Sequence, residues 1–166
     1  VHFTGGHPFY LEVISKAALK ANIPNLVDAL VDLLFASSGI LHMRFQGYVR
    51  RFSDSAAYGQ ECISVLHLIS QGNNRVKEIA HILHKTQKEL GPVINRLSEL
   101  DAINRSGDFL KINDRVFGFW LRFVYQERMR SLNFDSKNEE SLFRKNIENM
   151  LQEFILNSNK PVSERV

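Results

Sequence analysis

Three histidines are the first side chains in this sequence whose spacing suggests chemistry. His81 and His84 lie three residues apart, and His67 precedes them in the same part of the chain. Imidazole groups grouped in this way can hold zinc, but zinc sites also recruit cysteine or carboxylate ligands at close spacing. No cysteine pair accompanies these histidines at the spacing of a zinc site. We therefore interpret them as polar positions on helices and predict no metal site.

The nucleophilic and acidic residues give no catalytic arrangement either. Cys62, the single cysteine, lies in the apolar run ECISVLHLI and is predicted to be a small buried hydrophobe. Asp28 and Asp32 share a helix face without a partner, which is typical of a solvated surface. The sequence contains no G-x-x-x-x-G-K-[ST] loop and no apolar strand ending in an acidic pair that could hold Mg²⁺. We predict no catalytic residue and no ATP hydrolysis by these 166 residues.

Composition and charge are those of an ordinary globular protein. Hydrophobic residues make up 44% of the chain, and twelve phenylalanines supply material for a core. The net charge of +3 arises from 21 basic and 18 acidic residues spread along the sequence, so charge alone does not indicate nucleic-acid binding. A lone cysteine permits no internal disulfide, and no signal peptide or membrane-length apolar run is present. These features predict a cytoplasmic protein with no membrane partner.

Most segments of the sequence have apolar residues at helical spacing. Residues 1–53 predict a bundle of three helices, and the small polar run 53–59 predicts a linker. Three further helices follow, the third opened by a capping box at Thr86–Glu89, and then two short strands flank a turn at 106–108. This is the order of a winged helix. The predicted fold is mainly α, with a helical bundle (1–53), a winged-helix domain with one small β-hairpin (54–113) and C-terminal helices (114–166).

The winged helix suggests an interface with double-stranded DNA. Its third helix commonly enters the major groove, and its hairpin contacts the backbone or the minor groove. With the apolar residues of the third helix facing inward, its polar side chains lie on the opposite face. The candidate DNA-contacting residues are Lys85, Gln87, Lys88, Asn95, Arg105 and Lys111. Because Glu99 and Asp108 dilute this face, a contact with DNA and a contact with protein both stay open.

An aromatic-rich helix follows the hairpin. In RVFGFWLRFVYQERM, Phe117, Trp120 and Val124 form one stripe, and Phe119 and Phe123 form a second. A helix that is apolar over so much of its circumference is buried or lies between elements. A stacking platform for nucleic-acid bases is the alternative. We predict that this helix serves packing.

Four segments together carry a resemblance to a known family. They are TGGHPFYL at 4–11, VLHLISQGNNRVKEIAHIL at 65–83, LGPVINRLSELDAINRS at 90–106 and DRVFGFWLRFVY at 114–125. In this order they resemble the C-terminal part of the archaeal-type ATPases, a P-loop family in the STAND branch of the AAA+ relatives. That family runs from an ATPase core through a helical lid to a winged helix, and often to a nuclease-like domain. The resemblance covers residues 3–126.

The resemblance implies a nucleotide-binding role for Gly6, His7 and Pro8, which match the lid's G-x-P motif facing the base and ribose. A helix N-terminus with free amides and a fixed proline φ can approach such a ligand closely, although a plain helix start is the alternative. Phe9 stands where many AAA+ lids carry a sensor arginine. The implied cofactor is ATP with Mg²⁺, bound only in an intact parent. The implied partners are an ATPase core before Val1 and a downstream nuclease-like domain, with the winged helix relaying nucleotide state. The alternatives are a stand-alone DNA-binding winged-helix regulator and a protein-interaction module.

Overall fold

The computed structural model describes residues 3–20, 26–54, 58–126 and 136–158 of the chain. The elements are, in order, α1 (Pro8–Lys20), α2 (Leu26–Leu34), α3 (Ile40–Ser53), α4 (Gly59–Ser70), α5 (Val76–Ile82), α6 (Gln87–Glu99), β1 (Ile103–Ser106), β2 (Phe109–Ile112), α7 (Arg115–Trp120) and α8 (Ser136–Ser158). α7 continues directly into a π-helical turn, Leu121–Tyr125. The prediction of a mainly helical fold with one small β-hairpin is confirmed.

The chain divides into two compact units. Unit one comprises Val1–His42 and Glu127–Val166, and unit two comprises Met43–Gln126. The divisions therefore fall within α3 and just after the π-helical turn, whereas the sequence suggested limits near residues 53 and 113. The three-part organisation into 1–53, 54–113 and 114–166 stays a prediction about domains.

Unit one is built around α2, which is apolar on most of its surface. Six of its nine residues are buried, and α1 and α8 both pack against it. Phe35, just after α2, stacks on Phe143 of α8 with 5.5 Å between ring centroids. The expectation that Asp28 has no partner is wrong, because Arg144 of α8 donates a hydrogen bond to its carboxylate, while the Asp28 side chain is still 39% exposed.

Unit two has the topology of a winged helix. Apolar residues of α4, α5 and α6 form one core, as their periodicity predicted: Cys62, Val65, Leu66, Val76, Ile79, Leu90, Val93, Ile94 and Leu97. The strands β1 and β2 pair antiparallel around a turn at Gly107 and Asp108. Arg75, directly before α5, adds an isolated antiparallel bridge to Phe109. This bridge fastens the hairpin to the helical core.

Aromatic packing holds α3 from Met43 onward in unit two. The ring of Phe117 lies 5.4 Å from that of Phe45, 5.5 Å from that of Tyr48 and 6.0 Å from that of Phe52. Phe117 and Trp120 are almost fully buried, so the predicted packing role of this stripe is confirmed. Because α3 is held in this way, the run 53–59 joins two helices of one unit; residues 55–57 of it lie outside the described residues.

The end of α6 is closed by a left-handed residue. Asp101 has φ of +55°, and its amide donates to the carbonyl of Ser98. Aspartate tolerates this conformation better than most residues. The side-chain amide of Asn113 donates to both the backbone carbonyl and the carboxylate of Asp101, at 3.0 and 2.8 Å. These bonds fix where the chain leaves α6 and enters β1.

Candidate functional site

The start of α6 is fixed by the predicted capping box. The Thr86 hydroxyl accepts from the amide of Glu89 at 3.3 Å, and the Glu89 carboxylate accepts from the Thr86 amide and hydroxyl, both at 2.7 Å. These bonds hold the pKa of Glu89 below its ordinary value, first through the backbone amide and then through the hydroxyl. The cap therefore positions the first turn of α6 and keeps a carboxylate charge at its N-terminus.

Three of the predicted DNA-contacting side chains lie on the exposed side of α6. Gln87, Lys88 and Asn95 are exposed. The residues on the inward face of the helix are fully buried: Leu90, Val93, Ile94 and Leu97. Lys88 makes no ion pair with any described residue. Amide and ammonium groups of this kind are those that contact base edges and phosphates in protein–DNA complexes.

Lys85 is placed differently from the other candidates. Its ammonium group donates a hydrogen bond to the Glu61 carboxylate, and both side chains are about one-third exposed. This hydrogen bond raises the pKa of Lys85 above its ordinary value. The pair connects α4 to the turn before α6, so the charge of Lys85 is already partly neutralised within the fold.

The two candidate residues of the hairpin do not share a face. In the observed register Arg105 pairs with Leu110, whereas Lys111 pairs with Asn104. Directly paired residues of an antiparallel sheet lie on the same face, and neighbours along a strand alternate between faces. Arg105 is therefore on the face of the buried Leu110, and its Nε donates to the carbonyl of Gly107 at 2.8 Å. Lys111 lies on the opposite, exposed face.

The predicted nucleotide motif lies at the start of α1, where Pro8 is the first helical residue. Gly5 and Gly6 adopt φ of +62° and +79°, a region that favours glycine. The amide of Gly6 donates to the hydroxyl of Thr4 at 3.3 Å. The tight double-glycine turn thus brings the chain into the helix directly before His7.

His7 acts as the N-cap of α1. Its Nδ1 accepts from the amide of Phe9 at 3.3 Å, and its carbonyl accepts from the amides of Tyr10 and Leu11 at 3.1 and 3.2 Å. The expectation of free amides in this first turn is therefore wrong for these three residues. The side chain of His7 is itself exposed.

Two of the three histidines, His67 and His81, lie on helices, as the sequence indicated. His67 is hydrogen-bonded to Gln71, but His84 lies beyond the end of α5 with φ of +52°. No group of three or more metal-binding side chains occurs among the residues that the structure describes. Cys62 is buried, and burial raises the pKa of its thiol.

Several groups near the hairpin were not singled out from the sequence. Arg75 is exposed, and its guanidinium carbon lies 5.0 Å from the ring centroid of Phe109. Asn74, Phe109 and Arg122 line an open groove beside the hairpin. Only the pair Phe119 and Phe123 gave a signal, as the second aromatic stripe, and these two rings contact each other at 4.7 Å.

Comparisons of the chain with known protein families, with curated proteins and with solved structures found no match. Within the described ranges, no helix combines the length and the apolar character that a membrane span requires.

Proposed function

We propose that the chain is the regulatory C-terminal part of an ATP-binding STAND-type ATPase, and that its winged helix contacts double-stranded DNA. The observation that carries the DNA contact is the outer face of α6, where Gln87 and Lys88 in the capped first turn and Asn95 further along the helix are exposed. In this proposal the protein is cytoplasmic.

Each of these side chains has a separate task in the proposed contact. Lys88 neutralises a backbone phosphate, and its contribution does not depend on the base sequence. Gln87 and Asn95 can pair with base edges in the major groove. Arg105, held at the hairpin turn by Gly107, supplies a second phosphate contact. The carboxylates of Glu89 and Asp108 oppose the DNA charge, so we expect modest affinity.

The nucleotide part of the proposal concerns the helix start at Gly6, His7 and Pro8. It is supported by the exposed ring of His7 and by the two left-handed glycines, which let the backbone turn without side chains in the way. ATP and Mg²⁺ would be bound mainly by a P-loop core outside these 166 residues, because the sequence contains no such loop.

The DNA contact is tested by titrating a labelled duplex with the chain and its Lys88→Gln variant. Lys145→Gln is the matched control, because Lys145 is equally exposed but lies on α8 of unit one. We expect Lys88→Gln to weaken duplex binding by about fivefold or more and Lys145→Gln to have little effect. Equal affinity of all three proteins, or no duplex binding, would remove the DNA contact from the proposal.

The nucleotide contact is tested in the parent protein with His7→Asn. Asparagine is a good N-cap residue, so this variant keeps the helix start while removing the imidazole. Weaker nucleotide binding at unchanged thermal stability would support a ligand contact. Unchanged nucleotide affinity and turnover in both His7→Asn and Pro8→Ala would leave the motif as a helix cap alone.

A further inference from the structure

An open groove of about 620 Å³ lies beside the hairpin in unit two. One wall is the hairpin, which contributes Asn104, Ser106, Phe109 and Lys111 from its exposed face together with the buried Leu110 and Ile112. The rest of the groove is formed by the end of α4, the loop that follows it, and the end of α7. Arg105, on the other face of the hairpin, does not line the groove.

The opposite wall is carried by the π-helical turn. Arg122 and Phe123 belong to this turn, and Phe119 lies one turn before them. The rings of Phe119 and Phe123 are 4.7 Å apart, and the Arg122 guanidinium carbon lies 5.0 Å from the centroid of Phe123. π-Helical turns are rare and occur often at functional sites, because they change the direction in which side chains leave the helix.

The lining of the groove suits the phosphate and the base of a nucleotide. Lys111 and Arg122 are cationic, and no aspartate or glutamate is found among the described residues that line it. Asn74 and Asn104 offer amide donors and acceptors, as base edges require. The phenylalanine rings offer faces for stacking, and Phe109 is 47% exposed. Single-stranded nucleic acids are bound by grooves that combine positive charge with aromatic faces.

We propose that this groove binds single-stranded nucleic acid, with phosphates at Lys111 and Arg122 and with bases stacked on the faces of Phe109 and Phe123 that the guanidinium groups of Arg75 and Arg122 do not cover. The site is separate from the duplex face of α6 and does not depend on it. Charge complementarity favours a polyanion, and the aromatic rings favour one that carries bases over an acidic polypeptide. The open shape allows a strand to pass along the groove.

The proposal is tested with a fluorescein-labelled oligothymidylate of about ten nucleotides, a length within the range of known single-strand sites. The chain is compared with Phe123→Leu, which keeps an apolar side chain but removes the aromatic face, and with Lys111→Gln, an exposed position where folding is not at risk. We expect Phe123→Leu to weaken binding about 5- to 100-fold and Lys111→Gln to weaken it as well, whereas Lys145→Gln on α8, the control, should leave it unchanged. A thermal melt of each variant confirms that it is folded.

Three outcomes would overturn the proposal. The first is no binding of the oligothymidylate, and the second is equal affinity of the chain, Phe123→Leu and Lys111→Gln. The third is tighter binding of a polyglutamate peptide than of the oligonucleotide, which would assign the groove to an acidic polypeptide. The two nucleic-acid sites are distinguished by their variants. Phe123→Leu should lower the affinity for the oligonucleotide more than the affinity for a duplex, and Lys88→Gln should do the reverse.

Discussion

Arg75 and Phe109 meet through both backbone and side chain. Their backbones form an antiparallel bridge, and the Arg75 guanidinium lies 5.0 Å from the ring centroid of Phe109. On either side of this bridge, the amide of Val76 donates to Asp108 at 2.9 Å and the amide of Leu110 donates to Asn74 at 2.7 Å. These backbone bonds hold the hairpin against the start of α5. The side chains on both faces of the hairpin therefore have fixed positions.

Removal of the Arg75 side chain should have a small effect on stability. Arg75→Ala loses the cation–π contact, worth about 0.5–1 kcal/mol at an exposed site, while the backbone bonds remain. Urea unfolding measures the change, with Lys77→Ala on α5 as the control. A loss of more than about 2 kcal/mol would mean that the side chain, and not the backbone, holds the hairpin.

Truncation of Phe117 should be strongly destabilising. Its ring packs against those of Phe45, Tyr48 and Phe52, and it is 2% exposed. We expect Phe117→Ala to lower the free energy of unfolding by about 3–5 kcal/mol. Ile82→Ala is the control, since Ile82 is half exposed on α5 and should lose less than about 1 kcal/mol. Similar losses in both variants would contradict the assignment of α3 to this core.

The capping box of α6 should contribute to stability in a pH-dependent way. The pKa of Glu89 is lowered in the folded protein, so its contribution is present above the pKa of the unfolded chain and is lost as the pH falls through the folded pKa. We expect Glu89→Gln to lower the free energy of unfolding at neutral pH and to flatten its fall in acid. Glu148→Gln, which removes an exposed carboxylate of α8, is the control. Identical pH profiles for the chain and Glu89→Gln would refute this role.

Two glycine-to-alanine substitutions should change stability in opposite directions. A Cβ on Gly59 would lie 2.1 Å from the carbonyl oxygen of Ser53, so Gly59→Ala forces the backbone apart and should cost about 1–3 kcal/mol. A Cβ on Gly47, in the middle of α3, meets nothing within 4 Å, so Gly47→Ala should stabilise the helix by about 0.5–1 kcal/mol. Thermal unfolding measures both. A stable Gly59→Ala variant would show that α3 and α4 are not in close contact there.

Local features of the structure were predictable from the sequence, and long-range ones were not. The Thr86–Glu89 cap and the inward face of α6 depend on residues a few positions apart, so spacing alone indicates them. The pairing of Lys85 with Glu61 joins residues 24 positions apart and has no local signal. The π-helical turn also lacks a sequence signature, although it forms one wall of the groove.

The division of the candidate DNA residues between two faces was the least predictable feature of the site. Arg105 and Lys111 both lie in the hairpin, but whether they share a face depends on the register of the strands. A change of register by one residue would move every side chain of one strand to the other face. The sequence alone therefore indicates only that both cations lie in the hairpin, whereas the observed strand pairing places them on opposite faces.

The salt dependence of duplex binding tests the central claim most directly. If Lys88 and Arg105 each neutralise one phosphate, the logarithm of the affinity should fall with the logarithm of salt concentration with a slope of about −2. Lys88→Ala should then reduce both the affinity and the magnitude of this slope by about one, and Lys145→Ala should change neither. A slope near zero, or the same slope for the chain and Lys88→Ala, would contradict a DNA-binding role for α6.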